Sequence, residues 1–181
     1  MFVWIQEIDW GILHWIHNTL QCGALDFLMP KLTALGNGGA VWIAAAAGLT
    51  VSKKYRRYGI AMFAALVAGV LIGNVCMKNL VARPRPCWLE NVPLLIANPT
   101  DYSFPSGHTL SSVIGAAVLT GANRKFGFAA IPLAALIAFS RLYLYVHFPS
   151  DVLASVVLGT AIGITAVSVA KAVKKRKNTS A

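Results

Sequence analysis

Three apolar runs set the terms for this chain: Gly59 to about Ala82, Phe126 to about Val146, and Pro149 to about Ala170. Each is long enough to cross a hydrocarbon layer of about 30 Å as a helix. Two shorter runs accompany them, 38–52 and 107–121. Residues 2–20 are amphipathic and tryptophan-bearing, which suits a helix lying at a membrane interface. The chain is 57% hydrophobic and only 12% charged. A water-soluble protein of this length needs more charge to cover its surface. The expected fold class is therefore all-α: a polytopic integral membrane bundle of five to six transmembrane helices with an N-terminal amphipathic helix. Residues 1–181 are expected to form a single domain. No basic segment precedes an apolar core at the N-terminus, so the first twenty residues do not read as a secretory signal.

Charge placement gives an expected topology. Net charge is +10, and eleven of the sixteen Lys and Arg fall in the loop 53–57, the turn 124–125 and the tail 171–177. These three segments share one side if the spans alternate, and the positive-inside rule makes that side cytoplasmic. Clusters between apolar runs fit a membrane face and argue against a nucleic-acid partner. The three cysteines, Cys22, Cys76 and Cys87, show no metal-type spacing and read as small apolar residues. His14 and His17 read as an interfacial helix face, since no further ligand lies near them.

Lys78, Arg83, Arg85 and Arg141 break the charge rule. They sit at the other ends of the spans, where the rule does not ask for cations, and ionisable residues there are functional candidates. Arg83 reads as a cation facing lipid headgroups, and Tyr143 and Tyr145 are candidates to line an entry path. Three segments meet on that side: KNLVARPRP from Lys78, FPSGHTLSS from Phe104, and SRLYLYVHFPSD from Ser140. Clustered cations beside a Ser-Gly helix start suit a phosphate. Two histidines suit proton or phosphoryl transfer.

These segments resemble the three-part signature of the type 2 phosphatidic acid phosphatase superfamily. Lys78 with Arg85-Pro86 fits the first part, Pro105-Ser106-Gly107-His108 the second, and Ser140-Arg141, His147 and Asp151 the third. The resemblance implies a metal-independent membrane lipid phosphatase with no cofactor. Its implied catalytic residues are His147 as nucleophile, His108 as general acid and base, and Asp151 as the group orienting His147. Lys78, Arg85, Ser106, Gly107 and Arg141 would bind the substrate phosphate. The expected reaction is hydrolysis of undecaprenyl diphosphate to the monophosphate through a phosphohistidine at the extracytoplasmic face, with the C-terminus cytoplasmic. Phosphatidylglycerophosphate, phosphatidate or a phosphotransfer reaction are the alternatives within the family. An anion or lipid transporter could use the same cations, but it gives no reason for the His147–Asp151 pair. The partners expected are the lipid substrate and the bilayer, and oligomeric state is left open.

Overall fold

The structure, a computed structural model, describes residues 3–179. The side chains of 174–181, which include the tail cations Lys174, Lys175, Arg176 and Lys177, lie outside the described residues. Seven principal helices and no strand make up the described chain. They are α1 (Val3–Leu20), α2 (Gly23–Leu35), α3 (Ala40–Val51), α4 (Arg56–Gly69), α5 (Gly107–Ala122), α6 (Arg124–Tyr143) and α7 (Pro149–Thr179). A π-helical stretch, Val70–Met77, and one α-turn, Lys78–Val81, prolong α4 toward the loop.

By length and composition three helical stretches can cross a membrane: Arg56–Leu89, Arg124–Tyr143 and Pro149–Val173. Helix α2 and the stretch Asn37–Val51 would together make a fourth, bent by 44°. The break between them falls at Gly38 and Gly39, whose φ values of 58° and 73° are left-handed and favour glycine.

Helix α5 organises the bundle. It packs along both α6 and α7 and touches α3 and α4. Its buried residues Leu110, Ile114 and Val118 meet Trp42 of α3, Met62 and Leu66 of α4, and Ile137 of α6 in one core. Lipid tails are as apolar as leucine, so helices in a bilayer gain little from apolar burial alone and depend on close packing. Gly115 supplies that closeness. A Cβ there would lie 2.3 Å from the Trp42 ring. The same indole donates to the Ser112 Oγ at 2.9 Å, so its one polar atom is satisfied inside the core. Outward from this core, Phe128, Ile131, Leu153, Val157 and Ile164 are exposed, as helices solvated by lipid require.

Asn123 alone joins α5 to α6. Its side chain accepts from the Lys125 N–H at 3.0 Å and caps α6. Thus α5 and α6 run antiparallel, and the start of α5 lies beside the end of α6.

Helix α1 packs against the end of α6 and the start of α7. Leu13 and Ile16 are buried there, together with the carboxylate of Asp9. Trp4, Ile8, Ile12 and Trp15 are exposed on the outward face. His14 is not a free interfacial group, because its Nε2 lies 3.0 Å from Glu90. His17 packs edge-on against Tyr145. The two tyrosines are not at an entry path: both rings are buried, with Tyr143 donating to Asp26 at 2.6 Å and Tyr145 to Glu90 at 2.5 Å. Burial and its bond to Glu90 raise the Tyr145 phenol, while that same bond lowers the Glu90 carboxyl.

Candidate active site

Between the end of α2, the loop 96–101, the start of α5 and the end of α6 lies a cavity of about 640 Å³. Lys78, Arg85, Asp101, Gly107, His108, Arg141 and His147 all contribute to its wall. Residues separated by up to 69 positions in sequence thus converge on one polar space.

Each is placed by a local cause. The π-helical stretch precedes Lys78, and such wide turns recur at functional sites. Ala82 then adopts φ 47°, ending the helix and turning the chain into Arg83. Pro86 opens the short helical turn Pro86–Leu89, leaving Arg85 extended at its head. Ser106 caps α5 by accepting from the Thr109 N–H and hydroxyl at 3.4 and 3.0 Å. The Ser106 hydroxyl is buried and is absent from the cavity wall, unlike the adjoining Gly107. A Cβ at Gly107 would meet the Asn74 side chain at 2.9 Å, so only glycine fits this approach unaltered. Pro149 begins α7 and puts Asp151 in its first turn, favoured by the helix dipole.

His147 is buried at the back of the cavity. Its Nε2 lies 3.1 Å from Arg85 Nη1. A guanidinium can only donate, so Nε2 is the lone-pair end and Nδ1 carries the proton. Burial, reinforced by Arg85 and Arg141 against the pull of Asp151, holds the imidazole pKa down to about 3, well below its ordinary value of 6.5. The ring is therefore neutral at physiological pH.

The back of the ring departs from a simple His–Asp pair. Asp151 Oδ2 is 3.6 Å from His147 Nδ1, beyond direct hydrogen bonding. Ser103 stands beside both: its Oγ is 2.5 Å from Asp151 Oδ2 and 3.4 Å from His147 Nδ1. The Phe148 N–H donates to the same Oδ2 at 2.9 Å. Arg83 Nη1 donates to Oδ1 at 2.6 Å. Arg83 is thus buried among carboxylates rather than turned to lipid headgroups. Its expected placement fails because Asp9 and Asp151 together offer a stronger partner than solvent.

Asp101, like Ser103 and Asp9, is not disclosed by the sequence. Its carboxylate binds Lys78 Nζ on one side and Arg85 Nη2, at 2.7 Å, on the other. Its backbone carbonyl accepts from Arg85 Nε at 2.6 Å. Burial alone would raise this carboxyl, but Lys78 and Arg85 outweigh it and lower the pKa to about 2. The remaining cation, Arg141, donates to Thr33 at 2.5 Å, while its Nε is buried without a partner. His108 contacts Asn37 Oδ1 through Nε2 at 2.9 Å. Among the described residues no three His, Cys, Asp or Glu side chains are grouped to hold a metal ion.

Residues 55–175 match the family described as the PAP2 superfamily. An undecaprenyl-diphosphatase of Sulfolobus acidocaldarius is 36% identical over 154 residues, 84% of this chain and 74% of that one. An undecaprenyl-diphosphatase of Bacillus subtilis is 36% identical over 125 residues, 68% of this chain and 61% of that one. The crystal structure of a transmembrane PAP2-type phosphatidylglycerolphosphate phosphatase from Bacillus subtilis shares the fold, with TM-score 0.76 at 24% identity, over 97% of this chain and 88% of that one.

Proposed function

The chain belongs to the PAP2 superfamily, and from that premise we propose that it hydrolyses undecaprenyl diphosphate to undecaprenyl phosphate, without a metal, through a phosphohistidine. One observation carries the reading: the His147 Nε2 lone pair faces Arg85 in a polar cavity whose wall Lys78 and Arg141 share.

The chemistry follows from the contacts. The terminal phosphoryl group enters the cavity and takes over the N–H groups that Arg85 gives to Asp101 and His147. Lys78, Arg85 and Arg141 then hold the non-bridging oxygens, with the Gly107 N–H at the start of α5. Nε2 attacks phosphorus in line, a P–N bond forms, and the bond to the bridging oxygen breaks. His108 takes up a proton as the negative diphosphate enters beside it, gives that proton to the bridging oxygen, and undecaprenyl phosphate departs. The Nδ1 proton stays on the ring, and the Asp151 carboxylate offsets the positive charge of the phosphoimidazolium. His108 next removes a proton from water, water attacks phosphorus, and inorganic phosphate leaves with Nε2 restored. Ser106 contributes through the helix it caps rather than by direct contact.

The charge pattern supports a site at the extracytoplasmic face, with the C-terminus in the cytoplasm. Five crossings (α3, the α4 stretch, α5, α6 and α7) satisfy that pattern, and α1 then lies along the outer interface with Trp4, Ile8, Ile12 and Trp15 toward lipid. Residues 1–181 act as a single domain in this reading, since α1 and α2 pack directly on the end of α6.

Purified protein with chelator present should release phosphate from undecaprenyl diphosphate faster than from phosphatidylglycerol phosphate or phosphatidate. His147→Ala should abolish that release while the protein still inserts. No turnover of any of the three lipids would overturn the proposal, and a new product on adding acceptor alcohols would convert it to phosphotransfer.

A further inference from the structure

Asp9 lies in α1, outside the matched residues 55–175, yet it is almost fully buried against the back of the site. Both of its carboxylate oxygens are engaged. Oδ1 accepts from the Ser150 N–H at 2.8 Å, and Oδ2 from the Ser150 hydroxyl at 2.5 Å and from Arg83 Nη2 at 2.7 Å. Arg83 is clamped by these and by Gln6 Oε1, Ser150 Oγ and the face of Phe148. Its other terminal nitrogen reaches Asp151 Oδ1 at 2.6 Å. A continuous chain therefore runs Asp9–Arg83–Asp151 and ends behind the His147 ring.

We propose that Asp9 is a positioning residue for the reaction, fixing through Arg83 and Ser150 the carboxylate that orients His147. The inference rests on the function proposed above. Its physical basis is a competition. A guanidinium with a free fork prefers to hold a carboxylate by both oxygens. Were Arg83 to take Asp151 that way, Oδ2 would leave Ser103, the Phe148 N–H and the Nδ1 side of His147. Asp9 prevents this by occupying Nη2, so that Arg83 meets Asp151 through Nη1 alone. It also accepts from a first-turn N–H of α7, which fixes the helix that carries Asp151.

The merely structural alternative makes different numbers. In Asp9→Asn the shape is kept and the charge is lost. The positioning role predicts a kcat lower by roughly ten- to a hundredfold, the scale of a misplaced reacting group. KM and inhibition by vanadate should stay within about twofold, because Lys78, Arg85 and Arg141 are untouched. Counting competent molecules by vanadate binding and expressing kcat per binding site removes any unfolded fraction. An unchanged kcat per site overturns the inference, as does loss of vanadate binding in proportion to activity, which assigns Asp9 to folding alone. Wild-type protein lacking any lipid phosphatase activity would instead overturn the proposed function, so the two failures are told apart in one experiment.

Discussion

Asp101 is a carboxylate occupying the proposed phosphate site. It holds Lys78 and Arg85 together in the unliganded cavity, and its lowered pKa keeps it ionised throughout the range in which the protein would work. Any incoming oxyanion must displace it. Asp101→Asn should therefore bind vanadate several-fold more tightly, corresponding to about 1 kcal/mol for releasing a half-exposed ion pair, with kcat reduced less than the affinity rises. A vanadate inhibition constant that rises instead would show that Asp101 helps to build the phosphate site. The cavity's cations and histidines are legible in the sequence. Lys78, Arg85, His108, Arg141 and His147 are polar groups stranded at the ends of apolar runs, and their spacing matches a three-part pattern. Ser103, Asp101 and Asp9 are not legible, because nothing in an irregular loop or a distant helix names the partner of a polar side chain. One signal was available: all six acidic residues avoid the basic clusters, so they must share a side with the four unexplained cations.

At the scale of elements, what positions the site is contact between helices that are short or interrupted. Helix α5 has sixteen residues, α3 has twelve, and α4 changes to π-helical turns before Lys78. The sequence discloses the long runs and the glycine break after Leu35, since apolar length and backbone breakers are local properties. It does not disclose the π-helical stretch, which preserves the apolar pattern of an ordinary helix. Nor does it say which small residue meets which large one. Gly115 against Trp42 is the tightest such pair in α5. Gly115→Leu should force α5 away from α3 and lower stability by about 1–3 kcal/mol or more, as overpacking does. The check is thermal unfolding in detergent, read beside turnover. Gly107 and His108 lie on the same helix, so lost activity should accompany the fall in midpoint. A midpoint equal to wild type would mean that α3 and α5 are not held this closely.

The molecule as a whole is asymmetric in charge. Asp9, Asp101 and Asp151 pair with Arg83, Arg85 and Lys78 at one end of the bundle, whereas the basic clusters 53–57 and 124–125 lie at the other, where Tyr55 and Asn123 are hydrogen-bonded. In the proposed orientation a positive cytoplasmic face and a phosphate-binding outer face are both electrostatic requirements, and they would conflict if the outer cations were unpaired. Pairing Arg83 with Asp9 and Asp151, and Arg85 and Lys78 with Asp101, resolves the conflict by hiding positive charge that would otherwise oppose the orientation. The orientation itself can be read from thiols. Cys22 is exposed between α1 and α2, and its backbone N–H reaches the Tyr143 hydroxyl at 3.3 Å, at the site end of α6. In a Cys76→Ala, Cys87→Ala background, a membrane-impermeant thiol reagent applied to intact spheroplasts should label Cys22. With Cys22 also replaced by Ala, Ser52→Cys in the loop before α4 should stay unlabelled until the membrane is opened. Labelling in the reverse order would put the cavity in the cytoplasmic leaflet. A carrier-lipid diphosphate released outside the cell would then lie beyond its reach, and the substrate preference argued above would have to be withdrawn along with the topology.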